Sequence, residues 1–181
     1  MSLCEVFDVC LTTYSDAMDK AALQDLFAYT GWAWHQIKAA IPDDETIQAV
    51  APGSGWPTLR NCLGHIVLAY DRWIPAIVDL ETRPMPELAP GDFLAWSQID
   101  AERRRTRDPL QFHLEAWTDA DLDEQHPVDV DGAPVRYSRG ELITHLLLHE
   151  RGHHGDVTTL LWQLGLDSET PLEYRFHLGR D

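Results

Sequence analysis

The sequence predicts an all-α fold, an antiparallel four-helix bundle with a short extended or hairpin segment before the last helix. Three observations point there. Apolar residues recur at helical spacing in four separate stretches, and the connections between them carry proline and glycine. Only the tract from Thr118 to Tyr137 reads as polar, extended chain.

The first helix is expected from about Asp19 to Ile41, with Leu23, Leu26, Phe27, Trp34, Ile37 and Ile41 on one face and Pro42 as its stop. After a loop holding Pro52, Gly53, Gly55 and Pro57, Thr58 caps a second helix through Leu59, Leu63, Ile66, Tyr70, Trp73 and Ile77. Pro75 should kink or end it. A third helix starts near Asp92 and carries Phe93, Trp96, Ile99, Leu110, Leu114 and Trp117, in two pieces if Pro109 breaks it. Its run Glu102-Arg103-Arg104-Arg105 reads as a solvated face. Asp131-Gly132, between Val128/Val130 and Val135/Tyr137, marks a hairpin or loop. Ser138 and Glu141 form a capping box that opens the fourth helix, and Gly165 closes it. The tail from Leu166 to Asp181 shows no periodicity.

At 181 residues, one domain over 1–181 is expected, and that length can bury a full core. A net charge of -16, from 30 acidic residues against 14 Lys plus Arg, opposes phosphate backbones and anionic headgroups. Nucleic acid and membrane surfaces are therefore excluded as expected partners. No apolar run approaches the roughly 18–20 residues of a membrane span, and Met1 to Thr13 has neither a basic leader nor a small-residue cleavage site. The expected location is cytoplasmic. Cys4, Cys10 and Cys62 are odd in number, lie at no metal-ligand spacing and read as reduced thiols.

The chemistry concentrates in the fourth helix, which holds His145, His149, His153 and His154. Positions 145, 149 and 153 are four apart, so each step turns only ~40° and advances ~6 Å, and the three form one stripe. Leu142, Leu160 and Leu164 extend it toward the interior, while His154 lies ~100° away from His153. Two imidazoles four apart can close on one metal ion. The third ligand must come from another segment, and His65, within the apolar run Leu63-Gly64-His65-Ile66-Val67-Leu68, is the best candidate. A lone His there reads as a packed core residue, and the stripe alone as a hydrogen-bond ladder. Together, on the apolar faces of two helices, they favour a metal site. Three imidazoles leave coordination positions open, as catalytic sites do. Glu150 is a candidate proton acceptor only if the helix tilts it toward the opening; otherwise it is a surface or inter-helix partner. His145, one turn before the pair, is the better candidate for a supporting role.

His149-Glu150-Arg151-Gly152-His153 also matches the His-Glu-x-x-His pattern of zincin metalloproteases, in which Glu is the general base. The longer metzincin form fails, because Asp156 replaces its Gly and Thr159 its third His. Glu169 or Glu173 would have to supply a third ligand, and no sheet is expected whose edge would hold a peptide.

From Asp25 to about Gly165 the chain resembles the DinB/YfiT-like superfamily of metalloenzymes. The residues that carry the resemblance are His65 in Leu63-Gly64-His65-Ile66, then Ser138-Arg139-Gly140-Glu141-Leu142, then His145, His149, His153 and Gly155 before Thr158-Thr159-Leu160-Leu161 and Gln163-Leu164-Gly165. The resemblance implies an antiparallel four-helix bundle, commonly a homodimer, with zinc or nickel held by His65, His149 and His153. It also implies transfer of a low-molecular-weight thiol such as mycothiol or bacillithiol as cosubstrate, or isomerisation or hydrolysis of a small-molecule substrate. Many members read His-His-Arg-Gly-Gln where this chain has His153-His154-Gly155-Asp156. The competing expectation is a non-enzymatic, stress-associated metal-binding bundle.

Overall fold

The structure, a computed structural model, describes residues 18–51, 55–79, 88–130, 133–166 and 172–179. Over these residues it is mostly helical with one two-stranded sheet. Helix α1 spans Lys20–Ala40, and the Asp19 carboxylate accepts from the Ala22 N–H to cap it. Its buried face is Leu23, Phe27, Thr30, Trp34 and Ile37. A short helix α2, Asp44–Gln48, follows where periodicity gives no signal. It is barely longer than one turn and is held by its cap, the Asp43 side chain accepting from Thr46 N–H at 2.8 Å.

Val50 pairs with Thr58 across the next loop, and Ala51 N–H donates to Pro57 O, so the loop ends are clamped beside the start of α3. Helix α3, Leu59–Val78, begins under the Thr58 cap and runs through Pro75. The helix continues for three residues past Pro75, which stands in its last turn, where only one interior ladder bond is lost. Gly64 is required here. An added Cβ would lie 2.5 Å from Pro90 O and 2.9 Å from the Phe93 ring. The chain over Pro90–Asp92 makes a 3-10 turn closed by Ala89 N–H donating to Asp92 Oδ2, and that turn presses on α3.

Asp92 therefore serves this turn, and helix α4 begins later than the sequence suggests, at Trp96–Ala116. It is continuous through Pro109, which stands on the exposed face, where water can satisfy the carbonyl left without a partner. The arginine run is not wholly solvated either. Arg104 and Arg105 are exposed, but Arg103 is buried. Thr118 caps a further short helix, α5, Asp119–Asp123, which has too few turns to show periodicity.

Strands β1, Gln125–Val130, and β2, Ala133–Ser138, form the expected hairpin, antiparallel with Val128 opposite Val135. The turn residues Asp131 and Gly132 lie outside the described residues. Ser138 ends β2 and caps helix α6, Arg139–Gln163, through the reciprocal bonds expected of it: Ser138 N–H donates to Glu141 Oε2 and Glu141 N–H to Ser138 Oγ. Gly165, at φ 71°, closes α6 while Leu166 N–H returns to Leu161 O. A last short helix, α7, Tyr174–His177, packs on α1.

Helix α3 is the most enclosed element, lying against both α6 and α4, and α1 lies against α6. None of the described helices is long and apolar enough to cross a membrane. The two helix glycine environments give opposite expectations. Gly64→Ala should destabilise the protein by about 1–3 kcal/mol, because backbone must move to admit the methyl group. Gly155→Ala, where a Cβ meets nothing within 4 Å, should stabilise it by up to about 1 kcal/mol through helix propensity. Urea denaturation of the two variants checks both signs.

Candidate metal centre

Helices α3 and α6 face each other, and each contributes to one cluster. His65 Nε2 lies 3.0 Å from His149 Nε2, and His153 Nε2 lies 3.2 Å from the same atom. The three ring nitrogens all fall within 4.8 Å of one another. Tetrahedral ligands at roughly 2.1 Å from an ion stand about 3.4 Å apart. The cluster thus has the spacing of a coordination edge, and three imidazoles are a donor set that suits zinc or nickel. His149 and His153 are four apart on α6 and share the stripe that their spacing requires, while His65 is aimed across from the middle of α3.

Two neighbours shape the cluster. The Trp56 ring stands 4.9 Å from the His65 ring and 5.4 Å from the His153 ring, forming a wall over both. Its Nε1–H donates to Asp156 Oδ2 at 3.1 Å, and the same oxygen lies 2.9 Å from His153 Nδ1. With the proton on Nδ1 held by Asp156, the Nε2 lone pair of His153 is directed into the cluster, the arrangement that orients metal-ligating histidines. The sequence signal for Asp156 is its i+3 position from His153. Trp56 carries no such signal, since the clamped loop alone brings it over the site.

Burial, and then the neighbouring His153, His65 and His145, pull the His149 imidazolium down to about 4, and burial and His153 lower His65 as well. Both rings are therefore neutral and available as ligands near neutral pH. Cys62 sits beneath His153, with Sγ 3.8 Å from its carbonyl oxygen. Burial and the Asp156 charge push this thiol far up, so it is not a thiolate. Cys62, His153 and Asp156 are also close enough to form a ligand set, but Asp156 is occupied by Trp56 and His153.

The remaining candidates sit differently. His145 is exposed at the edge of the stripe, its ring 6.3 Å from that of His149 and 5.4 Å from Trp73, outside the converging set. Glu150 is neither a surface residue nor a general base beside the cluster. It is fully buried, and its carboxylate accepts from the Tyr70 hydroxyl and, at 2.7 Å, from Arg103. Burial alone would raise its carboxyl, but Arg103, His154 and Arg107 outweigh that and hold it well below the usual range. A base with both oxygens engaged cannot take a proton from water, which removes the protease use of His149-Glu150-x-x-His153. Glu173 precedes α7 and pairs with Arg175, and Glu169 lies outside the described residues.

The chain matches the model of the DinB family over residues 18–177. Among solved structures it resembles a DinB-like protein from Bacillus cereus ATCC 10987, with 23% identity and a TM-score of 0.53, covering 77% of this chain and 87% of that one. None of the curated proteins matches it.

The lowered His149 value fixes the sign of a pH effect. Between about 6.5 and about 4 the unfolded chain takes up a proton that the folded chain refuses. Stability of the metal-free protein is expected to fall as pH drops through that window and to be insensitive to His149 above it. Urea titrations at stepped pH check this, and His149→Ala should weaken the dependence; stability rising toward pH 4 would contradict it.

Proposed function

The chain belongs to the DinB family, and from that premise we propose that it is a metal-dependent enzyme, a thiol transferase or hydrolase acting on a small molecule. The reading places zinc or nickel on His65, His149 and His153 and takes the four long helices as the antiparallel bundle of that family. One observation carries it: three imidazoles converge, and no fourth His, Cys, Asp or Glu joins them among the described residues. A closed structural site would use four protein ligands. An ion bound there supplies Lewis acidity, lowering the pKa of a thiol or water or polarising a carbonyl.

The protein's own residues do the rest. His65, His149 and His153 hold the ion as neutral donors. Asp156 keeps the His153 proton on Nδ1 and so fixes the ring's tautomer. Trp56 covers one side of the cluster with an apolar wall, which excludes water there and offers a surface to a substrate's carbon skeleton. Cys62 remains a buried thiol and takes no part.

Zinc- and nickel-loaded protein should be assayed on panels of electrophiles and hydrolysable small molecules, with and without mycothiol or bacillithiol. Turnover by the loaded wild type, abolished in a folded His149→Ala variant, is the expected result. Metal binding without turnover on any panel would instead support the non-enzymatic, stress-associated binding protein.

A further inference from the structure

Each α6 histidine of the cluster is followed by a buried polar residue: His149 by Glu150 and His153 by His154. One residue further turns ~100° around the helix, so while His149 and His153 face α3 at the cluster, Glu150 and His154 enter the core. There the Glu150 carboxylate is a junction. Tyr70 of α3 donates to Oε2; Arg103 of α4 donates to Oε1 at 2.7 Å; and His154 Nε2 lies 3.3 Å from Oε1. Arg103 also reaches the Thr30 carbonyl of α1 at 3.4 Å, and Arg107 donates to the Phe27 carbonyl and, at 2.9 Å, to Thr30 Oγ1. Helices α3, α4 and α6 thus meet at one buried carboxylate, and Arg103 carries the network on to α1.

Two features make this more than packing. A buried ion pair is a poor source of net stability, because both charges lose their water. Its directional bonds do, however, fix how helices are rotated and how they slide. The turn of α6 that carries the cluster also needs such help. It contains Gly152 and Gly155, both exposed, with nothing within 4 Å of where a Cβ would stand. Glycine is the weakest helix former after proline, so this turn is held from its inner side. Tyr70, moreover, is on the same helix as His65, five residues on. The histidine cluster and the Glu150–Tyr70 bond are thus two links between the same pair of helices, on neighbouring faces of α6.

We propose that Glu150, through Tyr70 and Arg103, is a positioning residue for the metal centre: it sets the rotation of α6 so that His149 and His153 close on His65. Functional constellations need to be held within about 0.5 Å and 10–20°, and this junction supplies that constraint from behind the ligand helix. The inference rests on reading the cluster as a metal site.

The test uses metal-free full-length protein titrated with cobalt(II) against a chelator, alongside Glu150→Gln, Tyr70→Phe and Leu160→Ala. Leu160 is a fully buried α6 residue outside the junction, so its variant reports loss of stability alone. Measured well below each melting temperature, Glu150→Gln is expected to weaken cobalt binding by about 10-fold or more, as loss of outer supporting groups does. It should also change the visible cobalt band as imidazole coordination is lost. Tyr70→Phe should move both readouts in the same direction, by less, while Leu160→Ala lowers the melting temperature and keeps the affinity and band of the wild type. If Glu150→Gln and Tyr70→Phe bind cobalt as the wild type does, with only the melting temperature changed, Glu150 is structural and the inference fails. Should Glu150→Gln not fold, Tyr70→Phe decides by the same readouts. A wild type that takes up no cobalt overturns the metal reading itself, and this inference with it.

Discussion

The contact between α3 and α6 is the constraint on which the candidate site depends. It is made possible by small and unusual choices in the sequence. Gly64 lets the Pro90–Asp92 turn press on α3 beside His65, where any side chain would collide with backbone. On the other side, the Thr58 cap and the Val50–Thr58 pairing fix where α3 starts and where Trp56 stands. Given that placement, a four-residue spacing on α6 is enough to bring two imidazoles onto a third.

The same two turns of α6 present opposite electrostatic characters on neighbouring faces. Toward the cluster, burial and mutual repulsion keep His149 and His65 neutral, so their lone pairs are free for a cation. Toward the core, Glu150 stays ionised because Arg103 and its neighbours compensate for the lost water. Neither arrangement follows from the overall charge of -16. That charge is a property of the surface, and it bears on partners only through long-range attraction and repulsion.

Much of this was legible in the residues. The histidine stripe, the Ser138–Glu141 box, the Thr58 cap, the Gly165 stop and the hairpin all rest on local rules, and a local rule can be read from a few adjacent letters. What escaped depends on contacts between distant segments. Arg103 looks like part of a solvated run because its partner is 47 residues away on another helix. Glu150 reads as a surface or inter-helix partner, and as a proton acceptor only if the helix tilts, because the motif gives its neighbours and not its direction; the structure makes it a buried inter-helix partner of Tyr70 and Arg103. Asp156 reads as a departure from the family pattern, yet it holds His153 by the proton that orients the ring. Pro75 and Pro109 are strong breakers by propensity. The structure tolerates them in a last turn and on an exposed face, where the lost bond costs least.

The central claim is that His65, His149 and His153 are the protein ligands of one ion. X-ray absorption on the zinc-loaded protein at neutral pH tests it most directly. The account predicts a first shell of three imidazole nitrogens at about 2.0–2.1 Å with the remaining position filled by an oxygen donor such as water, and loss of one imidazole in His65→Ala. A first shell containing sulfur, or one with an unchanged imidazole count in His65→Ala, would contradict it.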